Sequence, residues 1–162
     1  MRILAIDPGT TESAYVVYDS ETGDILAKAK LPNQRLSSIV GGIDADTCVI
    51  EMIASYGMAV GREVFETCVW VGRFAEIWDK RYKRLVSQFV YRKDVKMCLC
   101  GTTKAKDANI RQAIIDRYPP GGGGKLPQVG VKANQGPLYG VSKDIWAAIG
   151  VAITYAETVG NG

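Results

Sequence analysis

The sequence predicts an α/β domain built on a mixed sheet. Three runs rich in Ile, Val and Tyr follow one another at the start with only short turns between them, the pattern of an antiparallel meander. Apolar segments of helix length and strand length then alternate, as they do where strands are joined through helices. The chain has 162 residues, 47% hydrophobic and 23% charged. That is enough for a single domain, 1–162, with a core of its own.

The elements follow in order. Met1–Asp7 is a buried strand whose exit carries Asp7, and Pro8-Gly9 then turn the chain. Ser13–Asp19 returns, Ser20-Glu21-Thr22-Gly23-Asp24 turns, and Ile25–Leu31 completes the meander. Pro32 and Asn33 open a short helix, Gln34–Val40, which Gly41-Gly42 ends. Thr47–Ile53 is a compact apolar strand with one charge, Glu51. Gly57 and Gly61 flank a loop before a helix from Arg62 to about Arg84. Val64, Phe65, Cys68, Val71, Ala75 and Trp78 recur there at i, i+3, i+4 and are the expected core face. Leu85–Tyr91 is the fifth strand, Val95–Leu99 a helical turn, and Lys104–Tyr118 a further helix ended by Pro119-Pro120 and four glycines. Residues 119–136, bearing Gly, Pro and Lys, read as a mobile surface loop. Ser142 then caps a final helix from Lys143 to about Thr158.

Composition narrows the chemistry. The chain has no histidine, which removes every triad that uses a histidine base. Its four cysteines, Cys48, Cys68, Cys98 and Cys100, have no metal-site or disulfide spacing and read as small apolar filler. The longest uncharged apolar run, Ile145–Ala156, falls short of the roughly 20 residues a membrane helix needs. Asp7 interrupts the only apolar segment at the start, so no signal peptide is read and the cytosol is the expected compartment.

Charge is unevenly spread. Residues 1–72 carry a balance of −5, residues 73–125 of +8, and the remainder is neutral, for a net +3. A basic segment beside an acidic one fits a polyanion-binding face next to a cation-recruiting carboxylate cluster. The competing reading is a solvated helix surface.

The carboxylates are the candidate functional groups. Glu51 lies within Cys-Val-Ile-Glu-Met-Ile, where an ionised carboxylate costs several kcal/mol to desolvate unless a partner or metal receives it. Asp7 and Glu51 sit late on strands expected to be adjacent and parallel, so both point to one end of the sheet, where open α/β sheets place sites. Asp144 begins the last apolar helix and Asp107 begins another. Either could simply complement a helix dipole or pair with a neighbour, as Asp107 could with Arg111. Two strand carboxylates joined by a helix acid would complete an oxygen cage for hard divalent cations. That set suits two-metal phosphodiester hydrolysis.

Ile-Asp-Pro-Gly-Thr, then Val-Ile-Glu, then Ser-Lys-Asp-Ile-Trp-Ala-Ala-Ile-Gly-Val-Ala-Ile-Thr resemble the RuvC-type Holliday junction resolvases of the RNase H-like superfamily. The stretch Lys93-Asp94-Val95-Lys96 to Asp107-Ala108-Asn109-Ile110 is similar to their basic loop and helix. The similarity runs over nearly the whole chain and looks closest to bacteriophage-encoded members. It implies an RNase H-like fold with a mixed five-stranded sheet flanked by helices. It further implies a homodimeric endonuclease, dependent on Mg2+ or Mn2+, that resolves four-way DNA junctions in a bacterial host cytoplasm. By position it implies Asp7, Glu51 and Asp144 as metal ligands. The family's second acid in the last helix is Ala147 here, and Asp107 is the candidate replacement. Arg92, Lys93, Lys96, Lys104, Lys106 and Arg111 would contact DNA phosphates, giving affinity and salt dependence without base readout. Phe65, Trp70 and Phe74 read as core or dimer contacts.

Three other readings stay open on sequence. Asp-Pro-Gly-Thr-Thr also resembles the phosphate-binding turn of actin-like sugar kinases, although those need two such domains. A branched-DNA nuclease acting on flaps or forks would use the same residues. A junction binder that has lost catalysis with the acid at position 147 would keep the basic face.

Overall fold

The computed structural model describes residues 1–83 and 86–159. Arg84 and Leu85, where the sequence places a helix end and a strand start, lie outside the described residues. β1 (Arg2–Asp7), β2 (Glu12–Asp19) and β3 (Ile25–Pro32) form the meander, and α1 (Asn33–Val40) follows. Next come β4 (Thr47–Met52), α2 (Arg62–Arg81), β5 (Gln88–Tyr91), α3 (Arg92–Cys100) and α4 (Asp107–Ile115). After β6 (Gly130–Val131) and β7 (Asn134–Gln135), α5 (Asp144–Val159) closes the chain. The main sheet has five strands in the order β3-β2-β1-β4-β5, with β1–β2 and β2–β3 antiparallel and β1–β4 and β4–β5 parallel. The α/β class and the mixed five-stranded sheet expected from sequence are therefore both present.

Each face of the sheet has its own apolar layer, because side chains alternate along a strand. Ile3, Ala5, Ala14, Val16, Val49 and Val90 pack with residues of α3, α4 and α5. Leu4, Ile6, Val17, Cys48 and Ile50 pack with residues of α1 and α2. The consequence for the site is direct. Continuing the alternation past Ile3 and Ala5 aims Asp7 at the α5 face, and continuing it past Val49 aims Glu51 the same way.

Several boundaries differ from the sequence reading. On α2 the buried residues are Thr67, Val71, Phe74, Ala75 and Trp78, whereas Phe65 is 63% exposed. Val71, Ala75 and Trp78 of the expected core face are thus buried, with Phe74 beside them, while at the start of the helix Phe65 faces out. The helical turn expected at Val95–Leu99 is a complete helix, and α4 is shorter at both ends than Lys104–Tyr118. The last helix starts at Asp144, since Lys143 holds a left-handed backbone, φ 43°. The segment read as a mobile loop contains the β6–β7 hairpin. There the Gly122 amide donates to the Pro127 carbonyl at 2.8 Å and the Gly123 amide to the Asn134 carbonyl at 2.9 Å. These are backbone contacts made by glycines, which leave no trace in side-chain periodicity. Among the described residues no helix is long and apolar enough to cross a membrane.

Candidate active site

The turn after β1 sets the position of Asp7, and it is closed by buried polar groups. The Gly9 amide donates to Ser13 Oγ at 3.1 Å, Ser13 Oγ donates to Asn33 Oδ1 at 2.5 Å, and Asn33 Nδ2 donates to the Gly9 carbonyl at 2.8 Å. The Asn33 amide also donates to the Thr11 carbonyl at 2.9 Å. Ser13 and Asn33 are 1% and 2% exposed, so water does not compete for these bonds. A Cβ on Gly9 would strike the Glu12 carbonyl oxygen, and this close approach is why glycine stands there.

β1 and β4 pair in parallel up to Ile6–Ile50, and the next residues on each strand are Asp7 and Glu51. Their carboxyl groups are near enough for each to shift the other, in part through hydrogen bonding. Glu51 is 8% exposed. Burial, reinforced by the Glu51 charge and that hydrogen bond, pushes the Asp7 carboxyl up to about 9. Burial also raises Glu51, opposed by the Asp7 hydrogen bond and by Arg92. Two adjacent carboxylates cannot both ionise cheaply, so the pair keeps a proton near neutral pH.

Asp144 approaches from the first turn of α5, but its Oδ2 is 2.6 Å from Lys30 Nζ. Lys30 also lies 3.7 Å from Glu12 Oε2. Arg92, the first residue of α3, stands on the other side with Nη1 3.6 Å from Glu51 Oε1, while its Nη2 pairs with the Asp107 carboxylate. Asp7, Glu51, Asp107 and Asp144 all line one cavity of about 440 Å³, together with Tyr56, Arg92, Lys143, Trp146 and Ala147. Convergence of the predicted acids is therefore observed, but not a preassembled cage. Among the described residues no three His, Cys, Asp or Glu side chains stand close enough to hold a metal ion as arranged. Asp107 meets the cavity through Arg92, and its side chain is 87% exposed.

The basic residues divide into groups. Arg92, Lys93 and Lys96 line a second cavity of about 290 Å³ with Tyr56 and Thr103, and Tyr56 and Arg92 belong to both cavities. Lys93 Nζ sits 5.5 Å from the centre of the Tyr56 ring, and the Arg111 guanidinium lies 5.1 Å over Trp146. Lys104 and Lys106 are exposed on the connection between α3 and α4. Of the +8 segment, the part on α3 and α4 packs on the face that carries Asp7 and Glu51, whereas Arg73, Lys80 and Arg81 belong to α2 on the other face.

Sequence reasoning missed Ser13, Asn33, Lys30 and Tyr56 as parts of the site. By sequence Asn33 is a helix opener and Lys30 one more charge on a strand. Tyr56 has a faint signal: it precedes Gly57, and both take positive φ, 48° and 83°. That backbone is costly for an aromatic residue and often marks a site.

No protein-family profile matches the chain, and no curated protein does. Solved structures do match. The structure of RuvC from Thermus thermophilus has a TM-score of 0.71 at 13% identity, covering 100% of this chain and 97% of that one. RuvC from T. thermophilus in complex with Holliday junction substrate has a TM-score of 0.66 at 12% identity, covering 98% of this chain and 94% of that one. At such identity the likeness establishes architecture: the chain has the RNase H-like fold of RuvC.

Proposed function

We propose that this protein is a structure-selective DNA endonuclease that resolves four-way junctions by metal-dependent phosphodiester hydrolysis. The observation that carries the reading is that Asp7 and Glu51, adjacent at the ends of the paired strands β1 and β4, line one cavity with Arg92 and Lys143. Two adjacent carboxyl groups, Glu51 buried and Asp7 half-buried, weaken the fold beyond what Arg92 beside Glu51 offsets, and a cation bound between them would relieve that cost. The donor set fits Mg2+ or Mn2+ by chemistry: all its donors are hard carboxylate oxygens on one cavity. Asp7 and Glu51 would hold the ion, with Asp144 joining after it parts from Lys30. When bound, the ion supplies Lewis acidity to the phosphate and to the attacking water. The two-ion form of this chemistry needs Asp144 beside the pair.

The chain's own residues supply the rest. The Ser13–Asn33 clamp fixes Asp7 against the load of a charged substrate. Asp107 holds Arg92 at the rim, and opening that pair would free a guanidinium for phosphate and Asp107 for the ion. Lys93, Lys96, Lys104, Lys106 and Arg111 give the approaching backbone a cationic track, so recognition rests on the shape of branched DNA rather than its sequence. Action as a homodimer, in the cytoplasm of a bacterial host and with a phage origin, belongs to the same reading.

The test incubates the purified chain with labelled junction, fork, flap and duplex, in Mg2+ and in EDTA. Metal-dependent, paired nicking of the junction is the expected result. Preference for flaps or forks would move the substrate. Binding without cleavage would indicate an inert binder, for which Ala147 in the cavity lining is the specific observation. ATP turnover would sink the nuclease reading.

A further inference from the structure

Of the three acids expected to act together, Asp7 and Glu51 stand side by side on β1 and β4, while Asp144 is tied to Lys30. Strand pairing runs from Lys30 to Ala14 and from Ala14 to Asp7, so Lys30 lies in the same cross-sheet row as Asp7 and on the same face. The residue between them is an alanine, so nothing large separates the lysine stem from the acids. Its Nζ reaches Asp144 Oδ2 at 2.6 Å and has a second acceptor, Glu12 Oε2, at 3.7 Å. Asp144 and Glu12 are both partly exposed, with side-chain exposures of 48% and 52%.

We propose that Lys30 is a positioning residue, a resident cation that holds Asp144 away from Asp7 and Glu51 and releases it, by passing to Glu12, when a divalent cation arrives. This rests on the metal reading above. The physical reason is charge. Without metal, a free Asp144 would set a further acid against the adjacent Asp7 and Glu51 carboxyl groups that line the same cavity. With metal, the pair needs a further oxygen donor, and Asp144 stands at its edge. Glu12 keeps the exchange electrostatically mild, because the ammonium leaves one carboxylate for another and is never unpaired. An ion pair exposed on both sides is weak enough to open in this way.

Mn2+ titrations of the full chain by calorimetry test this, with folding checked by circular dichroism. Lys30→Met should bind Mn2+ roughly tenfold tighter, the usual scale for a residue that orients a metal ligand. Lys30→Arg should stay close to wild type, because it keeps the tether. Asp144→Asn should cost about twofold in the wild-type background and roughly tenfold in Lys30→Met, a coupling that simple removal of a nearby charge does not produce. Glu12→Gln should weaken Mn2+ binding in wild type and leave Lys30→Met unchanged. Equal losses on Asp144→Asn in both backgrounds, or no effect of Lys30→Met, would overturn the proposal while leaving the metal site standing. Absence of any Asp7-dependent Mn2+ binding in wild type would overturn both.

Discussion

Replacing Asp7 with asparagine should stabilise the metal-free protein at neutral pH while destroying its response to metal. The ordinary value for an aspartate is 3.8, and in the fold Asp7 is held at about 9. A raised carboxyl contributes no penalty below its unfolded value, and stability then falls as pH rises between the two values. At pH 7 the unfolded chain releases the proton and the folded one keeps it. Each unit of that gap costs about 1.4 kcal/mol, so the ceiling at neutral pH is about 4 kcal/mol. The asparagine of Asp7→Asn would carry no proton to lose, and its amide would still donate to Glu51. A gain of about 2–4 kcal/mol corresponds to a Tm rise of roughly 5–10 °C for a chain of this length. Thermal unfolding in EDTA at pH 7.5 and pH 4.5 measures this. The gain should appear at the higher pH and largely vanish at the lower. Adding Mn2+ should then raise the Tm of wild type and leave Asp7→Asn unmoved, because only the former offers a binding site that unfolding destroys. If Asp7→Asn is no more stable than wild type at pH 7.5, or gains equally at both pH values, the charge-crowding account of this site is wrong.

Other consequences follow from the same geometry. Mn2+ affinity should rise as pH increases from about 6 towards 9, with proton release on binding, because the ion must displace the proton shared by Asp7 and Glu51; calorimetry in buffers of different ionisation enthalpy counts those protons. Asn33→Ala should cost about 1–3 kcal/mol in denaturant unfolding, because it strips partners from the buried Ser13 hydroxyl and the Gly9 carbonyl. A loss below about 0.5 kcal/mol would show that the clamp is dispensable. The pair Lys93→Ala and Lys96→Ala should weaken junction binding whatever its sequence and lower the salt slope by about one per lysine, as filter binding across salt concentrations would report. An unchanged slope would remove them from the DNA track.

Much of this is legible in the chain. Strand and helix periods are local, and they show the meander, the parallel strands and the odd placement of Glu51 in an apolar run. The same alternation of side chains puts Asp7 and Glu51 on one face before any packing is known. The final helix is legible too, to within a residue of its start.

Packing in three dimensions settles who neutralises whom. The pairing of Asp144 with Lys30, of Asp107 with Arg92, and of Gly9 with Ser13 and Asn33 joins segments that no period or motif links, because neither encodes a partner. That Phe65 is exposed while Phe74 is buried is likewise decided by what each meets in the folded chain. The ordered glycine hairpin comes from backbone bonds that side chains do not announce. That acids stand late on β1 and β4 and open α5 follows from residue order, because periods and element ends are local; their gathering at one end of the sheet needs the β1–β4 pairing. That two of them share a proton while the third is tied to a lysine emerges only in the folded chain, because electrostatic pairing depends on distance in space.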